Sequence, residues 1–414
     1  MLPEFNKITL KNELDVYHIP VNLGSNVISV NVFYKVGSRN ETMGKSGIAH
    51  MLEHLNFKST KNRNAGEFDK IVKGFGGVNN ASTSFDYTHY FIKCSKENLE
   101  KSLELYADIM ENLNLKDEEF QPERDVVLEE RLWRTDNNPF GYLFFRLYNN
   151  AFLYHPYHWT PIGFKDDIKN WKIEDIRDFH SKFYQPKNAF IVISGDIEKD
   201  IAFNSVKKYF ENIENRQELP TMHTYEPKQD GEKLVYIKKD SEVEILAMAY
   251  KIPPFLHKDS TAIEAIREYL GEGKSSILNK ILVDEKKLAS NVEVYNFSSI
   301  DENLFIIFAI CNQGIKAESI KAEILEILES EKEKDISDDD FEKIKNSVKS
   351  DIIYSFDSAS KTASIFGNYI AKDGLDDLIK TEEKIALLNK EDIKNTLNTY
   401  FVNNSLTTLI LRKD

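Results

Sequence analysis

The 414-residue chain repeats itself once. Displaced by 216–217 residues, "AHMLEHLNFKST" (49–60) falls on "AIREYLGEGKSS" (265–276) and "KIEDIRDFHSKFY" (172–184) falls on "NKEDIKNTLNTYF" (389–401). "THYFIKCS" (88–95) falls on "LFIIFAICN" (304–312), which puts the two cysteines, Cys94 and Cys311, in equivalent places. "FQPERDVVLEE" (120–130) resembles "FEKIKNSVKSD" (341–351) at a slightly different shift. Segments in one order at nearly one offset imply a duplicated unit of about 200 residues. The join falls within 211–232, a polar stretch with two prolines, a glycine and no apolar periodicity. The expected division is 1–215, a linker at 216–232, and 233–414.

Each half mixes strand and helix signals. "VISVNVFYKVG" (27–37), "DYTHYFIKCS" (86–95) and "NAFIVISGD" (188–196) read as strands. "SGIAHMLEH", "KENLEKSLELYADIMENL" and "PERDVVLEERLWRT" read as helices. The expected fold class is α+β: two duplicated α/β-sandwich domains with antiparallel-rich sheets packed by helices. A formal charge of −14, with no basic stripe carrying aromatics, argues against nucleic-acid binding. No apolar run reaches the roughly 18–20 residues of a membrane helix. The start shows no basic segment followed by an apolar one, so the expected compartment is the cytoplasm. Each cysteine reads as a small buried apolar residue.

The chemistry gathers around "GIAHMLEHLNFKST" (47–60). Ile48, Met51, Leu52 and Leu55 mark one helix face; His50, Glu53, His54 and Phe57 mark the other. Histidines at i and i+4 stack one turn apart, so both imidazoles can reach one metal ion, and their borderline softness points to zinc (Zn2+). Glu53 leaves the same stripe and can hydrogen-bond a water on that metal. The bland alternative is a pair of surface histidines beside an ordinary carboxylate. A third ligand could come from "QPERDVVLEERLWRT", where Glu123 and Glu130 are seven apart on one face. Glu129 is turned about 100° from Glu130, so only one of the two faces the metal, and spacing alone does not choose. His155 and His158, in an aromatic loop, read as packing and hydrogen-bonding residues.

"GSRNETMGKSGIAHMLEHLNFKST" resembles the signature of the insulinase-like (pitrilysin-type) zinc peptidases, which include the processing peptidase of mitochondria. The resemblance implies a zinc site of His50, His54 and, from "RDVVLEE", Glu130, which is 76 residues beyond His54. It implies Glu53 as general base and Glu123 as acidic helper. "GGVNNASTSFDYTHYF" (76–91) resembles the family's substrate strand, implying that Asn79, Asn80, Ala81, Ser82 and Thr83 line a bound peptide.

The second half has Ile266, Tyr269 and Leu270 in place of His50, Glu53 and His54, so it reads as a degenerate copy without metal. Single-chain active members of the family supply an Arg and a Tyr from this half. Here Val283 and Ser290 stand in their places. The resemblance therefore implies a metalloendopeptidase subunit for short or unstructured peptides. It would work as a homo- or heterodimer with a related subunit carrying that Arg/Tyr pair. The competing readings are a non-catalytic scaffold or assembly subunit, and a zinc-dependent peptide-binding module.

Overall fold

The computed structural model describes residues 2–274 and 276–413. The chain forms two compact units, each assembled from three stretches. One comprises Met1–Arg131, Trp159–His223 and Ile353–Leu378; the other comprises Leu132–His158, Thr224–Ile352 and Ile379–Asp414. The units thus differ from the 1–215 and 233–414 halves in two places, where each half contributes a segment to the other's unit. The cause is packing: each contributed segment carries a helix that covers one face of a sheet.

The first unit is built on strands β1 (Asn6–Thr9), β2 (Asp15–Pro20), β3 (Val27–Tyr34), β4 (Val78–Thr83), β5 (Thr88–Ser95) and β6 (Ala189–Gly195). Their order in the sheet is β1-β2-β6-β3-β5-β4, with β2 and β6 parallel and the other pairs antiparallel. Strand β3 shows why the sheet is covered on both sides. Ile28, Val30, Val32 and Tyr34 join the larger core on one face, while Phe33 joins Tyr17, Ile19, Phe190 and Val192 on the other. A strand buried on both faces reads as a near-continuous apolar run.

Helices α1 (Ile48–Leu55), α2 (Glu67–Gly74), α3 (Leu99–Asn112), α4 (Asp117–Arg131), α6 (Lys165–Asn170), α7 (Ile173–Phe183) and α8 (Lys199–Phe210) belong to this unit, and α1, α3 and α7 contribute buried residues to the larger core. The opposite face is covered by α12 (Ala359–Ala371), through Ala363, Phe366 and Ile370. Gly367 lets α12 approach closely: a Cβ there would lie 2.0 Å from the Phe33 ring.

The second unit repeats the plan. Strands β7 (Lys233–Lys238), β8 (Ile245–Ile252), β9 (Ala289–Asn296), β10 (Asn303–Cys311) and β11 (Leu406–Arg412) take the order β7-β11-β8-β10-β9. Helices α9 (Ser260–Gly271), α10 (Ala317–Glu333), α11 (Asp338–Tyr354), α14 (Thr381–Leu387) and α15 (Lys390–Tyr400) follow in the same succession as in the first unit. The far face of this sheet is covered by α5 (Pro139–Ala151), where Phe140 lies 4.5 Å from Phe308 and the Tyr148 hydroxyl donates to Asn303 at 3.1 Å. The short α13 (Leu375–Ile379) lies almost wholly in the segment given to the first unit, where Leu378 joins the core beneath α12. Cys94 ends near the tip of β5 and Cys311 at the tip of β10, both buried. Among the described residues no helix is long and apolar enough to cross a membrane.

Two local expectations shift. The helix read from residue 122 begins at Asp117, because Asp117, Glu118 and Glu119 favour a helix N-terminus, and Pro122 is carried inside it. Phe57 lies beyond the end of α1 and packs on Phe68 at 5.2 Å, leaving the polar face on which the periodicity placed it.

Candidate metal centre

Helix α1 opens at Gly47, which has φ +86° and no side chain to cap the first turn. The buried Glu41 carboxylate does that work instead. It accepts the N–H groups of Gly47 and Ala49, each at 2.8 Å, and the indole N–H of Trp159 at 2.7 Å. Burial pushes this carboxyl up to about 8, against the pull of those donors. A carboxylate at a helix N-terminus also meets the positive end of the macrodipole. The same loop holds the hairpin of β4 and β5, since Ser38 and Arg39 donate to the carbonyls of Ser84 and Phe85 at 3.2 and 2.8 Å.

Ile48, Met51, Leu52 and Leu55 are buried to 2 % exposure or less, which fixes the rotation of α1. The half-buried face then carries His50, Glu53 and His54, with the two imidazole rings 4.7 Å apart. Helix α4 lies against α1. Buried Phe120 and Val127 set its phase, so that Glu123 and Glu130 face the histidines of α1 while Glu119 accepts from Ser59, just beyond its end. Glu130 Oε2 is 3.6 Å from His50 Nε2 and 3.4 Å from His54 Nε2. Glu129 is exposed.

One ligand atom from each of His50, His54 and Glu130 lies within 4.8 Å of the others, and among the described residues this is the one such group of three. The donor set suits zinc. Bonds of about 2.0–2.1 Å at tetrahedral angles put ligand atoms roughly 3.3–3.4 Å apart, close to the separations of 3.4 and 3.6 Å seen here. A zinc ion held by these three alone would keep a fourth position open, as catalytic sites do and closed structural sites do not.

Around this group, His54 Nδ1–H donates to Glu123 Oε1 at 2.8 Å, which leaves Nε2 facing Glu130. Burial acts to lower the His54 pKa, but the carboxylates of Glu123, Glu130 and Glu53 outweigh it and raise it to about 9 in the metal-free protein. Burial pushes the Glu123 carboxyl up, and hydrogen bonds from His54 and Lys58 more than offset that, holding it below its ordinary value. The Glu53 carboxylate accepts the hydroxyl proton of Thr83, the last residue of β4.

Strand β4 stands at the sheet edge, paired with β5 on one side only. Its side chains are largely engaged within the protein. Asn79 donates to Asp69 at 2.8 Å, Asn80 accepts from the Ala81 N–H at 2.9 Å, and Ala81 packs on the core. Ser82 is exposed. The structure therefore brings together His50, Glu53, His54, Glu123, Glu130 and Thr83, and places Asn79–Ser82 along the adjoining edge. Sequence reasoning passed over Glu41 and Lys58. The clue to Lys58 is its place four residues beyond His54; for Glu41 only a long-range contact reveals the role.

In the second unit the equivalents of His50, Glu53 and His54, which are Ile266, Tyr269 and Leu270, are buried. Nearby, Arg267 gathers Glu264, Glu272 and Asp351 at 2.6, 2.6 and 3.2 Å, and also Glu268. Asp351 is the residue aligned with Glu130, so in this copy a guanidinium joins the two helices. Val283 packs on the second core, and the Ser290 hydroxyl donates to the Ile310 carbonyl at 3.3 Å. His155 and His158 are engaged by Asp301 at 2.9 Å and the Phe152 carbonyl at 2.6 Å.

The chain thus carries two related α/β units, one of which gathers two histidines and a glutamate fit to hold a metal ion. Residues 21–158 match the insulinase (peptidase family M16) domain, and residues 170–348 match the peptidase M16 inactive domain. The chain is 50% identical over 414 residues to the zinc protease PqqE of Helicobacter pylori, covering 99% of this chain and 93% of that one. The crystal structure of a protease from Helicobacter pylori superposes with a TM-score of 0.97 at 51% identity, covering 100% of both chains. A probable mitochondrial-processing peptidase subunit beta of Arabidopsis thaliana is 26% identical over 413 residues, covering 96% of this chain and 76% of that one. The chain belongs to the insulinase family of peptidases, family M16.

Proposed function

We propose that this chain is the metal-bearing subunit of a zinc metalloendopeptidase acting on short or unstructured peptides. The observation that carries the reading is the convergence of His50, His54 and Glu130 within 4.8 Å beside a carboxylate, Glu53, tied to an open sheet edge. Zinc held by those three residues would polarise a peptide carbonyl and bring the pKa of a coordinated water near 7. Glu53 takes the proton from the attacking water and returns it to the leaving amine. Glu123 holds the His54 tautomer, and Thr83 holds the Glu53 carboxylate. Strand β4 takes the peptide as an added strand through main-chain hydrogen bonds. The engagement of Asn79, Asn80 and Thr83 within the protein supports a mode with little side-chain selectivity.

The partner is a related subunit that supplies the Arg/Tyr pair. Neither Val283, packed on the core, nor Ser290, bonded within its own sheet, offers a cation or phenol for the oxyanion. A missing oxyanion donor costs roughly 10²–10³ in rate, so the chain alone is expected to be feeble. The test is zinc content and turnover of an unstructured peptide, with the purified chain alone and with its co-purifying partner. Zinc without turnover in either preparation favours a peptide-binding module, and neither zinc nor turnover favours a scaffold. A rate of about 1–10³ s⁻¹ from a preparation containing only this chain refutes the need for a partner.

A further inference from the structure

We infer that Lys58 is a positioning residue for the metal centre, acting on His54 through Glu123; the inference rests on the zinc reading above. Helix α1 ends at Leu55, yet the chain keeps turning tightly. Asn56 N–H donates to the Leu52 carbonyl at 3.0 Å and Lys58 N–H to the Leu55 carbonyl at 3.0 Å. Lys58 therefore stands over His54, one turn on, and its Nζ reaches Glu123 Oε2 at 2.5 Å. The other carboxylate oxygen, Oε1, accepts the His54 Nδ1–H at 2.8 Å.

A carboxylate held by one donor can swing about its Cγ–Cδ bond. Held through both oxygens by donors on different residues, its plane is fixed. Glu123 is 12% exposed, so water has little access with which to replace either donor. The ammonium, carboxylate and imidazole form one chain of contacts whose end is the ring orientation of His54. That orientation decides whether Nε2 faces Glu130 and a metal between them.

Two roles for Lys58 make opposite predictions. Glu53, Glu123 and Glu130 bring three negative charges and Lys58 one positive charge, with both histidines neutral when a metal is bound. If Lys58 contributed charge alone, its removal would make the centre more negative and bind a divalent cation more tightly. If it holds Glu123, its removal lets the carboxylate turn and zinc binds more weakly. The sign of the change decides. At 31% exposure the side chain can be replaced without opening the core.

The test is the zinc dissociation constant of metal-free protein, measured by chelator competition, for wild type, Lys58→Met, Lys58→Arg, Glu123→Gln and the Lys58→Met/Glu123→Gln double variant. Lys58→Met should bind about tenfold more weakly, the low end of losses from outer partners of metal ligands. Lys58→Arg, which keeps a cation within reach of Glu123, should recover most of that loss. In the Glu123→Gln background Lys58→Met should add nothing, since residues acting in one chain are not additive. Tighter or unchanged zinc in Lys58→Met, an equal loss in Lys58→Arg, or a full further loss in the double variant each overturns the inference. Wild type that binds no zinc overturns the metal reading and this inference with it; wild type that binds zinc as tightly as Lys58→Met overturns this inference alone.

Discussion

Lowering the pH of the metal-free protein from 9 to 7 should weaken zinc binding about 50-fold. The magnitude comes from His54. Its burial favours the neutral ring, but three neighbouring carboxylates win and hold the pKa up to about 9, against about 6.5 for a free imidazole. Because the folded value is raised, the stabilisation from that proton is fully present below about pH 6.5 and is lost as the pH climbs through about 9. It is worth roughly 3 kcal/mol at most. Zinc requires the neutral ring, so at pH 7 it must expel a proton held about two units above the working pH, a factor near 10². A free imidazole would cost a factor of only about 1.3 at that pH. Apparent affinity should therefore rise about ninefold from pH 7 to 8, about fivefold from pH 8 to 9, and then level off. Calorimetry with chelator-buffered zinc, in buffers of different ionisation enthalpy, should find one proton released per zinc at pH 7–8. Affinity that is flat from pH 7 to 9, with no proton released, would refute the argument. The metal-free protein alone should lose stability over the range in which the zinc-bound form gains its advantage.

Three further outcomes are expected. Glu130→Gln should lose most bound zinc while Glu129→Gln keeps it, because Glu130 faces both imidazoles and Glu129 is exposed; metal analysis of the purified variants checks this. Glu53→Gln should keep zinc and lose turnover by about 10²–10⁴; near-normal hydrolysis by the zinc-loaded variant would remove Glu53 from the mechanism. Gly367→Ala should destabilise the first unit by about 1–3 kcal/mol. Its Cβ would meet Phe33, whose ring is stacked between His89 at 3.9 Å and Phe190 at 4.9 Å and cannot retreat; an unchanged denaturation midpoint would contradict this.

What could be read from the chain follows from how local each signal is. The rotation of α1 is written in four apolar residues within one helix, so the clustering of His50, Glu53 and His54 is visible without coordinates. The seven-residue spacing of Glu123 and Glu130 puts them on one face for the same reason, though the choice over Glu129 needed the buried Val127 between them or a resemblance. Contacts between distant charges leave no such trace. Lys58 is 65 residues from Glu123, and Thr83 is 30 from Glu53. Any surface lysine or strand threonine looks alike in sequence. The placement of α12 is hidden for a related reason. Its apolar face is plain, but the sheet it covers is encoded more than 160 residues earlier, at Phe190 and Phe33.

That placement has a consequence during synthesis on the ribosome. The first unit's last N-terminal stretch ends at His223, and its covering segment ends at Leu378, some 155 residues later. At about 5–20 residues per second, the nascent first unit waits roughly 8–30 s with Tyr17, Ile19, Phe33, Phe190 and Val192 bare on one face. A duplication of two self-contained domains would have let the first finish folding as it emerged. Here vectorial folding stalls with an aromatic surface exposed, and the chain is expected to lean on a ribosome-associated holdase until that covering segment appears.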